Sequence, residues 1–212
     1  MPAVELVVYR NVSGMEVGVQ RVVEGRMAKG LISASYSERI GELGFKYVME
    51  SGGDPLSCVL EPSCKALMDG FYHSAGEHSV LAGVGGSTDP DKDEWLAATF
   101  DCSFPYAVVR LFRFMMNGGA SAPDIVITAD YEYDFGHDYE PIVPNNRGGH
   151  GGARKDQMKV PYVLVGPKIK QGVTLPYATP EDIGATIFTA FGLPLAERSE
   201  GKCLIDALTT AE

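Results

Sequence analysis

Apolar positions in the first fifty residues come in short runs broken by turn formers. Leu6-Val7-Val8-Tyr9 closes at Asn11 and Ser13-Gly14. Val17, Val19, Val22 and Val23 follow in pieces interrupted by Gly18 and Gly25, and Phe45 to Met49 forms another run. Short runs between such residues predict strands of an antiparallel meander. Ser51-Gly52-Gly53-Asp54-Pro55 is a strong breaker. The pattern then becomes helical. A short helix is predicted from Glu61 to Gly70, with Pro62 in its first turn. Residues 74–88 are small and Gly-rich and read as a loop. Asp89-Pro90 is expected to open a second helix carrying Trp95 and Leu96. A third is predicted from Pro105 to Met116, with Val108, Leu111, Phe112 and Met115 on one face, Met115-Met116 in the core and Asn117-Gly118-Gly119 at its end.

After this helix the character changes. Asp124 to Ala129 is a continuous apolar run, the pattern of a strand covered on both faces. A polar segment from Asp130 to Asp156 follows, and Tyr162-Val163-Leu164-Val165 reads as a second buried strand. Thr179-Pro180-Glu181-Asp182 is a helix start, with Thr179 as cap and acids in the first turn. Ile183, Ile187 and Phe188 form its expected buried stripe, and Gly192 and Pro194 stop it. The plan is a β-rich lobe over 1–56 joined to an α/β part over 57–212.

The chain has 212 residues, enough for one large domain or a domain plus a small lobe. Hydrophobic residues make up 45%, which supplies a sizeable core and excludes global disorder. The net charge of −10 opposes binding to phosphate backbones, so nucleic acid is not an expected partner. Small anionic substrates remain compatible, because a metal or an arginine reverses the field locally. The longest apolar runs are too short to span a bilayer, and no basic leader precedes an apolar stretch. Cys58, Cys64, Cys102 and Cys203 show no CxxC spacing. A reduced, cytoplasmic chain with free thiols is the expectation.

The chemistry concentrates after Ala129. Loops at the carboxyl ends of buried strands are where α/β proteins place their sites. Asp130 follows its strand directly, and His150 stands between two glycine pairs, which lets the backbone approach a ligand closely. An Asp and a His at one sheet rim suit a transition metal, usually zinc. A mobile acidic loop with a solvated histidine accounts for the same residues. Tyr131 to Asp134 lines a pocket or packs the loop. His73 and His78 read as exposed loop residues, and Cys58 and Cys64 as buried or idle thiols. Ser103 precedes Phe104-Pro105 and reads as a helix cap in preference to a nucleophile.

Gly148-Gly149-His150-Gly151-Gly152, followed by Asp156 to Pro167, resembles the C-terminal signature of the alkaline phosphatase superfamily, in its nucleotide pyrophosphatase/phosphodiesterase type. Ile169, Gly172, the helix from Thr179 and Gly192 to Leu195 agree with it. Similarity is sharpest over 124–208 and extends more weakly to Gly53-Asp54-Pro55-Leu56. The resemblance implies an α/β fold, the C-terminal part of an alkaline-phosphatase-like sandwich with parallel strands and flanking helices. It implies a divalent metal, zinc in the first instance, with His150 as a ligand and Asp130 matching an Asp ligand. It implies a phosphoester small molecule as substrate. Tyr131 stands where the family's Asp-His pair has its histidine, and His137 has the wrong spacing. A two-metal centre needs roughly six ligands, more than this chain offers. No GxSxG elbow or phosphate loop is present. The chain therefore reads as lacking the nucleophile half and as weak or inactive alone. The alternatives are a non-catalytic binding module, or the complementing half of a split enzyme whose partner chain carries the N-terminal half.

Overall fold

The computed structural model describes residues 4–11, 15–37, 42–58, 72–75, 78–81, 91–117, 121–131, 133, 135, 151–195 and 199–209. The helix expected over 61–70, Cys64, His137 and His150 lie outside these residues. Contacts divide the chain into two units, 1–160 and 161–212.

In the first unit, β1 (Val4–Asn11), β2 (Glu16–Val23), β3 (Arg26–Ser37) and β4 (Glu42–Ser51) form the expected meander. The hairpin β5 (Tyr72–Ala75) and β6 (His78–Leu81) adds to β4, and β7 (Ile125–Ala129) adds to β1. The result is one seven-stranded sheet in the order β5-β6-β4-β3-β2-β1-β7. Every strand pair in it is antiparallel.

This corrects the expected α/β sandwich of parallel strands. The decisive pairing is Val8↔Val126, antiparallel, which makes β7 an edge strand of the N-terminal meander. The second expected strand, Tyr162 to Val165, belongs to no strand among the described residues, and Val163 and Val165 are exposed. Ile125 and Ile127 are exposed too, so β7 is covered on one face only. An apolar run signals burial potential and carries no information about strand direction or partner. His73 and His78 fall in β5 and β6, where a loop was expected.

Two helices cover one sheet face. α1 (Lys92–Thr99) starts at Asp91, whose carboxylate accepts from Asp93 N at 2.9 Å and Glu94 N at 2.8 Å. Glu94 returns the bond to Asp91 N at 2.8 Å, closing a capping box. α2 (Ala107–Met116) places Val108, Val109, Phe112 and Met115 inward. These pack with Trp95 and Leu96 of α1 against Leu6, Val8, Val17, Val19, Ile32 and Phe45 of the sheet. Trp95 Nε1 donates to the Phe45 carbonyl at 3.0 Å, so the largest core side chain buries no unmet donor. α2 is not capped by Ser103. Its N-cap is Tyr106, in the left-handed region at φ 57°, with no side-chain cap. Thr99 instead accepts from Tyr106 N at 2.9 Å and donates to the Trp95 carbonyl at 2.6 Å, joining the two helices.

Segment 151–160 docks on the turn before α2. The single-turn helix α3 (Lys155–Met158) begins with Lys155 N donating to the Ser103 carbonyl at 2.8 Å. Lys159 Nζ pairs with Asp101 at 2.8 Å and lies 3.8 Å from the centre of the Phe100 ring.

The second unit is built on α4 (Pro180–Ala190), capped by Thr179 as expected. Asp182 accepts from Thr179 N and Lys202 N, each at 2.8 Å, and Thr186 Oγ1 accepts from Leu204 N at 2.9 Å. Helix cap and tail thus share Asp182. The buried residues of α4 are Ala185 and Thr186, whereas Ile187 and Phe188 of the expected stripe are exposed.

Cys58 and Cys203 form no disulfide, and Cys102 is disulfide-bonded. The free-thiol expectation therefore fails for Cys102. No helix among the described residues is long and apolar enough to cross a membrane.

Candidate functional site

The charged residues that converge inside the first unit lie at the end of the core face where β1, β2 and β7 meet. Val4 pairs with Ala129 and Leu6 with Thr128, leaving Glu5 as an extra residue in a β-bulge. A bulge re-aims a side chain, and here it places a carboxylate that is 3% exposed against the guanidinium of Arg154. Burial pushes the Glu5 carboxyl above its ordinary value, Arg154 pulls it down in part, and Asp130 adds to the rise.

Arg154 links three elements. Its Nε pairs with Glu5, its Nη2 lies 3.4 Å from Asp130 Oδ1, and its guanidinium sits 4.6 Å from the Tyr131 ring centre and 5.7 Å from that of Phe104. Asp130 Oδ1 also accepts from Tyr131 N at 2.8 Å. Asp130 Oδ2 takes no hydrogen bond among the described residues, and the side chain is 30% exposed.

Arg21 approaches from β2. Its guanidinium lies 4.8 Å from the Phe104 ring centre and donates to Ser57 Oγ. Burial lowers its pKa, and Asp54 and Glu5 oppose that shift. Next to it, the Tyr47 hydroxyl donates to Asp54 Oδ1 at 2.7 Å, and Leu56 N donates to the same oxygen at 3.0 Å. Tyr47 and Asp54 are fully buried. Burial, followed by the neighbouring Asp54 carboxylate, raises the Tyr47 hydroxyl well above its ordinary value.

Asp130 sits at the end of its strand, as the sequence pattern predicts. His150 is outside the described residues, so its position relative to Asp130 is not part of this geometry. The charged neighbours of Asp130 among the described residues include the Arg154 guanidinium and the Glu5 carboxylate. No group of three His, Cys, Asp or Glu able to hold a metal occurs among the described residues. What this arrangement does is bind the chain's own 151–160 segment to the sheet.

Glu5, Arg21 and Arg154 are not singled out by sequence motifs. The available signal is Glu5 itself, a carboxylate inside the apolar run Val4 to Tyr9. Comparison with protein-family models, with curated proteins and with solved structures finds no match to this chain.

Proposed function

We propose that this chain acts by association with another protein surface and does not turn over phosphoesters by itself. The observation that carries this reading is the sheet face opposite the helices, which no described element of the first unit covers. The helices pack on one side, while Val22, Met27, Ile125 and Ile127 on the other side remain exposed. Large exposed apolar patches mark interaction sites. The Asp130 corner supports the same reading, because its carboxylates are engaged with Arg154 and no activated hydroxyl is placed beside them among the described residues. Descent from a phosphoester hydrolase, carried by the Gly148 to Pro167 segment, belongs to this proposal, as does residence in the cytoplasm.

A second reading rests on Asp130 Oδ2, which takes no hydrogen bond among the described residues. In it the chain is the complementing half of a split hydrolase, and Asp130 and His150 join ligands from a partner chain around zinc. The test is hydrolysis of a nitrophenyl phosphate monoester and diester with added zinc or manganese, for the native chain and His150→Ala. No turnover in either is the expected result. Turnover that disappears in His150→Ala overturns the proposal.

A further inference from the structure

Segment 151–160 holds to the first unit through one arginine and a few surface contacts. No residue of it is fully buried. Ala153 packs against the edge of the core, and Lys155 N reaches the Ser103 carbonyl. The Lys159–Asp101 pair lies at the surface, with the aspartate side chain 63% exposed. Pairs of that kind contribute little. Gly151, at φ 106°, leads into the strap in a conformation that favours glycine. Arg154 is different. Its Nε meets Glu5, a carboxylate 3% exposed on β1, and its Nη2 lies 3.4 Å from Asp130, just past β7. Two carboxylates from two elements thus address two nitrogens of one guanidinium. The Tyr131 and Phe104 rings, at 4.6 and 5.7 Å, add aromatic faces.

We propose that this corner is a guanidinium-recognition site, which Arg154 fills from within the chain and which an arginine of a partner protein takes when the 151–160 strap lifts. The proposal rests on the association reading above and gives the chemistry of the partner's contact. Lifting the strap by itself is opposed, because it strands the buried Glu5 carboxylate. The neighbouring Asp130 already pushes the Glu5 carboxyl upward, and Arg21 acts on it more weakly than Arg154 does. Exchange of one guanidinium for another avoids that cost and gives up only the strap's surface contacts. A lysine does not serve. Its ammonium is a compact point charge, whereas the planar fork of an arginine reaches Glu5 and Asp130 with separate nitrogens and still faces a ring. The chain's net charge of −10 favours the approach of a basic segment.

The test uses the full chain carrying Arg154→Ala, titrated with methylguanidinium. At about 20 mM this ion should raise the unfolding midpoint, recovering at least about half of what the substitution lost, and methylammonium at the same concentration should not. The native chain, and Arg154→Ala combined with Glu5→Gln, should show no such rise. No rise, an equal rise with both cations, or a rise that survives Glu5→Gln overturns the proposal. The native chain supplies a measurement that does not depend on the variant folding. Its amides from Lys155 to Lys159 should exchange at least about threefold faster in an excess of an arginine tripeptide than of a lysine tripeptide, while Leu6 and Val8 stay protected. Equal exchange in the two peptides overturns the proposal as well. Binding of a hydrophobic dye then separates its failure from that of the association reading. Dye bound by the native chain and not by Ile127→Glu leaves association standing without this site. No dye binding by the native chain removes both.

Discussion

The Tyr47 hydroxyl meets Asp54 Oδ1 at 2.7 Å, with both residues closed off from solvent. The tyrosine comes from the middle of β4 and the aspartate from the breaker that ends it, so one bond fastens the loop to the sheet. Tyr47→Phe leaves a buried carboxylate short of a donor and should cost about 1–3 kcal/mol. Urea unfolding followed by tryptophan fluorescence reads this directly, because Trp95 lies in the same core. An unchanged midpoint would show that Asp54 is satisfied without the Tyr47 hydroxyl.

Removing either partner of the Glu5–Arg154 pair should not be equivalent. Arg154→Ala strands a carboxylate that is 3% exposed and should destabilise the first unit by about 3 kcal/mol. Glu5→Gln removes the charge that burial disfavours, keeps the shape and should cost less. Paired unfolding curves decide the order, and equal losses would contradict it.

The same carboxyl makes stability depend on pH. Its folded value is raised above 4.5, so the folded state holds this proton more tightly than the unfolded chain does. The contribution is fully present below the unfolded value and is lost as pH rises through the folded one. Relative to Glu5→Gln, the native chain should therefore be more stable at about pH 4 than at about pH 8. A flat difference across that window would remove the claim.

In the second unit, Asp182→Ala takes away the acceptor for both Thr179 N and Lys202 N. Loss of a helix cap costs about 1–2 kcal/mol. Hydrogen exchange should quicken together at the start of α4 and at Lys202 to Leu204. Quickening at the helix alone would mean that the tail is held by Thr186 independently.

A thiol count tests the disulfide at Cys102. Unfolded without reductant, the purified chain should present fewer than four reactive thiols, because Cys102 is disulfide-bonded. Four would restore the expectation of a fully reduced chain.

The meander over β1 to β4 was legible because short apolar runs and turn residues alternate there at strand spacing. The cap at Thr179 was legible because Pro180 and Asp182 complete a known pattern. What the pattern could not carry was partnership. The run from Asp124 to Ala129 reads equally well as a strand buried on both faces or as an edge strand, and only the antiparallel register with β1 distinguishes them. The run from Tyr162 to Val165 has the same hydropathy and pairs with no strand among the described residues. Asp130 was placed correctly at a strand end. Its neighbour Arg154 was invisible, because the link depends on a one-residue bulge at Glu5, which leaves no compositional mark. The start of α2 was misplaced for a related reason: Tyr106 adopts a left-handed conformation that tertiary contacts impose and residue type disfavours.

The pairing of β7 with β1 also sets a schedule for synthesis. Arg10 and Asp124, joined by a 2.6 Å ion pair beside that seam, are 114 residues apart in the chain. At a ribosome adding about 5–20 residues per second, β1 emerges several seconds before the strand that covers its edge. During that interval the nascent meander presents the free backbone of β1, flanked by Leu6 and Val8 without the β7 edge strand beside them. Non-local closure of this kind is slow in refolding as well. The chain should accordingly refold more cleanly from dilute solution than from concentrated solution, with losses to aggregation that grow with concentration.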